Sequence, residues 1–185
     1  MYRDAGVPML SSIPHFCFLL FAFCSHRLQF RPSPGSAMAD ELIQILRELR
    51  VDVPYDSCSV QELRENRLVI IGGVGFADLD VIVGESFEID NIEVPNGEVI
   101  YRRRPLIVRD VESYRAFRRG LHVGTGIRSW LGVPLMAGDR LLGMIALDKA
   151  EADFYKAHHS SAALEHAARL AEMLERDEIP SAECG

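Results

Sequence analysis

Residues 127–148 constrain the fold more than any other stretch of the chain. Two apolar runs, 127–137 and 140–148, flank Gly138 and Asp139. They are rich in Val, Ile and Leu and include the chain's single tryptophan, all residues that fit a pleated, part-buried surface. A two-residue Gly-Asp connection between such runs predicts a β-hairpin. Both sides of the runs are apolar, so the hairpin is expected at the centre of a sheet. With Gly138-Asp139 as the turn, Ala137 opposes Arg140, Trp130 opposes Leu147 and Gly132 opposes Ile145. Alternation then groups Trp130, Gly132, Pro134, Ile145, Leu147 and Lys149 on one face. Leu131, Val133, Leu135, Leu142, Met144 and Ala146 fall on the other. Gly132 and Pro134 leave room, so the first face is expected to border a cavity of about 300–1,000 Å³. The second, fuller face is expected under helices.

Before the hairpin the chain changes character near Met38. Residues 1–37 contain the apolar block FCFLLFAFC (16–24), too short for a bilayer-spanning helix, and the Pro/Ser-rich RPSPGSA (31–37). They read as an N-terminal extension, disordered or a mis-assigned start ahead of Met38; a secretory h-region and a buried or interfacial segment stay open. From Met38 to residue 176 the pattern is that of one domain, followed by a tail over 177–185. Asp40 is expected to cap a helix carrying Leu42, Leu46, Leu49 and Val53, which Pro54 ends. Residues 57–63 and 67–73 read as paired strands. A short helix over 77–83, an extended piece over 85–89, a helical turn over 98–103 capped by Asn96, and a strand over 106–108 follow. A second short helix over 112–118, the glycine-rich loop 119–126 and a long helix over 157–176 complete the reading.

Composition excludes some functions. The net charge of −7 argues against a general nucleic-acid binder. The four cysteines, Cys17, Cys24, Cys58 and Cys184, have neither metal-ligand nor disulfide-framework spacing, so the domain is expected to be reduced and cytoplasmic. The glycines at 72, 73 and 75 lack both GxGxxG and a following Lys-Ser/Thr, which leaves a turn and no nucleotide cradle. Cys58, Ser129, His122, His158, His159 and His166 form no nucleophile-and-base pattern.

The segments RSWLGVPL (128–135) and LGMIALD (142–148) resemble the end of a GAF domain. The likeness runs back through PLIVRDV (105–111) and GVGF (73–76) to VPYDSCSV (53–60), and forward through DFY (153–155). It implies an α+β fold: an antiparallel sheet with helices on one face and a ligand pocket under short helices and loops on the other. It also implies sensing, signal transduction and dimerisation, with only a few enzymes among its members. The signatures of the subtypes are missing. No cysteine lies between Cys58 and Cys184, which removes both the bilin attachment of phytochrome-type photoreceptors and the cysteine pair of free-methionine sulfoxide reductases. The Asn-Lys-Phe-Asp-Glu motif of cyclic-nucleotide-binding phosphodiesterase domains is absent too.

The expected site follows from hairpin and resemblance together. Arg102, Arg103, Arg104, Arg109, Arg115, Arg118 and Arg119 reverse the local charge where GAF-like domains fold a lid, so residues 109–128 are expected to roof the cavity. Guanidinium groups there would suit an anion, and a solvated face is the alternative. The ligand-binding set is Arg109, Asp110, Tyr114, Arg128, Trp130, Ile145, Leu147 and Lys149, with Trp130 either stacked on a ligand or part of the core. The expectation is a non-catalytic sensory or regulatory GAF domain that binds a small molecule or a partner. A free-methionine sulfoxide reductase type of enzyme, or a purely structural dimerisation module, is the alternative. The seams Leu42/Leu46/Leu49/Val53 and Ala163/Ala167/Leu170/Leu174 are expected to cover the Leu131/Val133/Leu135 face and to offer a remaining edge to a second copy, the alternative being that the chain's own sheet uses them up. A signalling effector of kinase, cyclase or phosphatase type is the other expected partner. No nucleic acid and no membrane are expected.

Overall fold

A computed structural model describes residues 36–89, 92–114, 117 and 126–178. The expectations for residues 1–35, for most of the glycine-rich loop and for the tail beyond 178 therefore lie outside the described residues. The first helix, α1 (Ala37–Asp52), is capped by Ser36, whose hydroxyl accepts from the Ala39 amide at 3.2 Å. Asp40, expected as the cap, sits in the first turn, where its charge still favours the helix N-terminus. Strands β1 (Ser57–Arg64) and β2 (Arg67–Val74) form the first hairpin, with Glu65 in the turn at φ 56°. Asp78 caps the single turn α2 (Leu79–Ile82), and β3 (Ser86–Glu88) follows.

Helix α3 (Pro95–Arg102) starts with Pro95 in its first turn, where a missing amide proton costs nothing. That displaces Asn96, the expected cap, into the helix. After β4 (Leu106–Val108), the described part of 112–118 is a set of turns, with Ser113 N donating to Asp110 O at 3.1 Å, and not the expected helix. The central hairpin is β5 (Ser129–Ala137) and β6 (Arg140–Lys149), and α4 (Ala157–Glu178) closes the domain. The six strands form one antiparallel sheet in the order β3-β2-β1-β6-β5-β4, which is the expected α+β architecture.

Each face of the sheet has its own core. On one side α1 and α4 pack over Cys58, Val60, Leu131, Val133, Leu135, Ile145 and Leu147. All eight seam residues, Leu42, Leu46, Leu49, Val53, Ala163, Ala167, Leu170 and Leu174, are buried in this core. The ion pairs Glu48–Arg169 (2.6 Å) and Glu41–Arg176 (2.5 Å) tie the two helices together. The seams thus cover the chain's own sheet and are not free to form the expected dimer contact. On the opposite side Leu68, Val99, Ile100, Val108, Val111, Ile127, Trp130, Met144 and Ala146 form a second core.

The central register differs from the expectation by one residue. Ala137 does pair with Arg140 and Met136 with Leu141, but Leu135 then pairs with Gly143, leaving Leu142 as an extra residue in β6. Such a bulge shifts everything beyond it and flips the side chains. Trp130 therefore opposes Asp148, Gly132 opposes Ala146 and Val133 opposes Ile145. Ile145, Leu147 and Lys149 belong to the helix-covered face, whereas Met144 and Ala146 share the face of Trp130. Gly143 permits the bulge, since a Cβ there would lie 2.0 Å from the Gln61 carbonyl oxygen.

Candidate functional site

The second face is apolar at its rim and polar along its centre. In β1, Cys58 and Val60 turn toward the helices, so Ser57, Ser59 and Gln61 turn to the other side. Their neighbours across the β1–β6 ladder are Asp148, Ala146 and Met144. Gln61 Nε2 donates to Ser59 Oγ at 3.0 Å, and Asn96 Nδ2, from α3, donates to Gln61 Oε1 at 3.4 Å. Ser57 Oγ donates to Asp148 Oδ2 at 2.7 Å. Ser59, Gln61 and Asp148 retain only 5%, 4% and 6% of their exposure. A buried polar row of this kind is costly unless each group finds a partner.

Asp148 is its most perturbed member. Burial raises its pKa to about 7; the Ser57 hydrogen bond opposes the shift and the neighbouring Asp56 carboxylate adds to it. Asp56 itself is paired outward. It takes Lys149 Nζ and the Ala150 amide, each at 2.7 Å, and those bonds hold its carboxyl below the ordinary range despite some burial. Lys149, expected at the cavity, thus lies at the sheet's end, with its ammonium 5.1 Å from the Phe154 ring centroid. Cys58 is fully buried, and burial pushes its thiol well up, with Asp148 adding to the shift.

Hydrophobic walls flank the row. On the β2 side Gly73 opposes Ser59, and the Phe76 ring fills the space where a Cβ would stand. On the β5 side lies Trp130, 4% exposed, its ring edge-on to Phe117 at 6.2 Å. The room expected above Gly132 is occupied by Trp130 itself: a Cβ there would meet the indole at 2.2 Å and Val99 at 2.8 Å. Trp130 is therefore a core side chain that walls the row. Of the expected roof, residues 115, 116 and 118–125 lie outside the described residues.

Of the expected rim residues, Asp110 and Arg128 are engaged with each other, and Arg109 turns to another carboxylate. Arg128 Nη2 and Nε lie 3.0 and 3.3 Å from the Asp110 carboxylate, and Glu112 lies 3.7 Å from the same guanidinium. The hydrogen bonds from Arg128 hold the Asp110 carboxyl below the usual range and raise Arg128 in turn. Arg109 pairs with Asp153 at 3.7 Å, and Arg102 with Glu98 at 3.1 Å. Tyr114 packs against the second core, its hydroxyl 3.3 Å from Glu98 Oε2. Two described arginines of the cluster, Arg102 and Arg109, are thus neutralised locally, as is Arg128 beside it. The row Ser57, Ser59, Gln61, Asn96 and Asp148 was missed from sequence, although the alternation of SCSVQ (57–61) carried a signal: polar side chains on one side, apolar on the other. Among the described residues no group of three or more His, Cys, Asp or Glu could hold a metal ion. No described helix is long and apolar enough to cross a membrane.

Comparison with known proteins places this geometry. A sequence comparison with curated proteins finds no match. Among solved structures, the chain is similar to the GAF domain/HD domain protein from Geobacter sulfurreducens, with 15% identity, 80% of this chain and 99% of that chain covered, and a TM-score of 0.65. It is similar to the GAF domain of a two-component sensor histidine kinase from Bacillus halodurans, with 13% identity, 75% and 94% coverage and a TM-score of 0.64. It is also similar to the type II free methionine-R-sulfoxide reductase from Thermoplasma acidophilum, with 14% identity, 75% and 93% coverage and a TM-score of 0.63. At these identities the likeness shows a shared fold. The GAF domain family model matches residues 38–176, and on that match, together with the fold, the chain belongs to the GAF domain family.

Proposed function

We propose that this GAF domain is a non-catalytic sensory or regulatory module, and that it binds a small molecule over the polar row of the second face. The observation that carries the reading is the row itself: buried hydroxyl, amide and carboxyl groups set in an apolar face. The hydrogen bonds within the row leave the Ser59 hydroxyl proton and the second amide proton of Gln61 free to serve a ligand. No Arg, Lys or His side chain bonds to the row among the described residues, and Arg128 is engaged by Asp110. The matching ligand is therefore a neutral or positively charged polar molecule and not the anion that the arginine cluster suggested. The GAF domains of the sensor kinase and the HD-domain protein support a regulatory reading, with an effector of that kind as partner. A reaction at Cys58 is disfavoured because it is a buried thiol whose pKa is raised. Assembly, where it accompanies sensing, would use the outer sides of α1 and α4, where Val51 and Leu164 are exposed.

A thermal-shift screen against neutral, cationic and anionic polar metabolites tests this. Stabilisation by neutral or cationic compounds, lost in Gln61→Leu, is expected. Stabilisation by anions alone, lost in Arg128→Ala, would overturn the ligand assignment.

A further inference from the structure

The sheet ends at β4, which pairs with β5 on one side and has no strand on its outer side among the described residues. A groove of about 420 Å³ runs along this edge. It is lined by Glu98 of α3, Arg104, Leu106 and Ile107 of the β4 segment, and Ala157 and Ser161 of α4. Helices α3 and α4 lie on opposite faces of the sheet, one against each core. A groove touching both must pass around the outer edge of β4, so the edge itself is open. Its side chains are half-buried and apolar at Leu106 and Ile107, which suits an extended segment lying beside them.

Charge distinguishes which segment fits. The chain as a whole carries −7, yet three consecutive arginines lead into this edge. Arg102 is neutralised by Glu98. Arg103 donates to a carbonyl, that of Asp139 at 3.1 Å, so no carboxylate compensates its charge there. Arg104 is exposed and has no ion-pair or hydrogen-bond partner among the described residues. Of the three only Arg104 lines the groove, so one uncompensated guanidinium stands beside the open strand edge.

We propose that the β4 edge is a docking site for an extended acidic peptide of a partner protein, which adds to the sheet as a further antiparallel or parallel strand. Backbone hydrogen bonds to β4 hold the segment, Leu106 and Ile107 take its apolar side chains, and a carboxylate of it meets Arg104. The short length of β4, three residues, keeps the edge from recruiting strands indiscriminately, and the charge adds selectivity. This surface is separate from the polar row and does not depend on it.

The test uses the whole chain and two fluorescent octapeptides, one alternating valine with glutamate and the other valine with glutamine. Polarisation should show saturable binding of the glutamate peptide that weakens as salt rises. Arg104→Glu, at an exposed position, should weaken that binding by roughly tenfold while leaving the melting temperature unchanged. Hydrogen exchange should slow at residues 106–108 when the peptide is bound. Equal binding of the two peptides, no effect of Arg104→Glu, or protection elsewhere would overturn the proposal. So would protection of 106–108 that rises with protein concentration alone, which would give the edge to a second copy of this chain.

Discussion

Replacing Asp148 by Asn should stabilise the protein, and increasingly so as the pH rises. The side chain keeps its size, and its amide oxygen still accepts the Ser57 hydroxyl, 2.7 Å from Asp148 Oδ2 in the native chain. What disappears is the ionisation. Burial lifts the folded-state pKa from the ordinary 3.8 to about 7, so between these values the folded chain holds a proton that the unfolded chain releases. Stability contributed by this group is therefore intact below pH 3.8, falls as pH rises, and is fully lost above pH 7. Three pH units at 1.36 kcal/mol each give a penalty of about 4 kcal/mol above neutrality. At pH 5 the penalty is less than half of that, so the gain from Asp148→Asn should be ~2–3 kcal/mol larger at pH 8 than at pH 5. The depressed carboxylates Asp56, Asp110 and Asp153 lose their contribution only as pH falls toward acid, below this window, and they are common to both proteins. Urea unfolding of native chain and variant at pH 5, 6, 7 and 8 makes the measurement. A stability difference that is flat with pH would refute the buried, proton-holding carboxyl.

Other outcomes follow from the packing. Leu170 has no exposure, so Leu170→Ala should cost ~2–5 kcal/mol by chemical denaturation, and Leu170→Glu should unfold the monomer instead of dividing a dimer. Leu164→Glu, on the exposed side, should change the melting temperature little and reveal any helix-mediated assembly by light scattering. Gly132→Ala must displace the indole that lies 2.2 Å from the added carbon, and it should shift the emission of the single tryptophan. Arg128→Ala removes both hydrogen bonds to Asp110, so the Asp110 carboxyl should titrate at higher pH in carbon-detected NMR than in the native chain.

The order of elements was legible because it depends on local signals. Apolar runs around Gly138-Asp139 marked the hairpin, and Pro54 marked the end of α1. Asn96 and Asp40 were misread as caps because Pro95 and Ser36, one and four residues earlier, supply a better first turn and a better hydroxyl. The faces of β5 were read correctly, but those of β6 were not. Alternation propagates from the turn, and the extra residue at Leu142 reverses it beyond the bulge. Gly143 inside a strand was the available warning. The polar row stayed hidden for a different reason. Its members come from β1, β6 and α3, and only the ladder between Ser57 and Asp148, 91 residues apart in sequence, brings them together. Arginine clustering, by contrast, was visible at once, but pairing with Asp110, Asp153 and Glu98 depends on contacts that no local pattern carries.

Native mass spectrometry of the chain purified from its own host tests the polar-row assignment most directly. A small-molecule adduct should accompany the native chain, carry a neutral or cationic formula, and vanish from Gln61→Leu while persisting in Arg104→Glu. An adduct of anionic formula, one retained by Gln61→Leu, or no adduct on the folded protein would contradict binding over Ser59, Gln61 and Asp148.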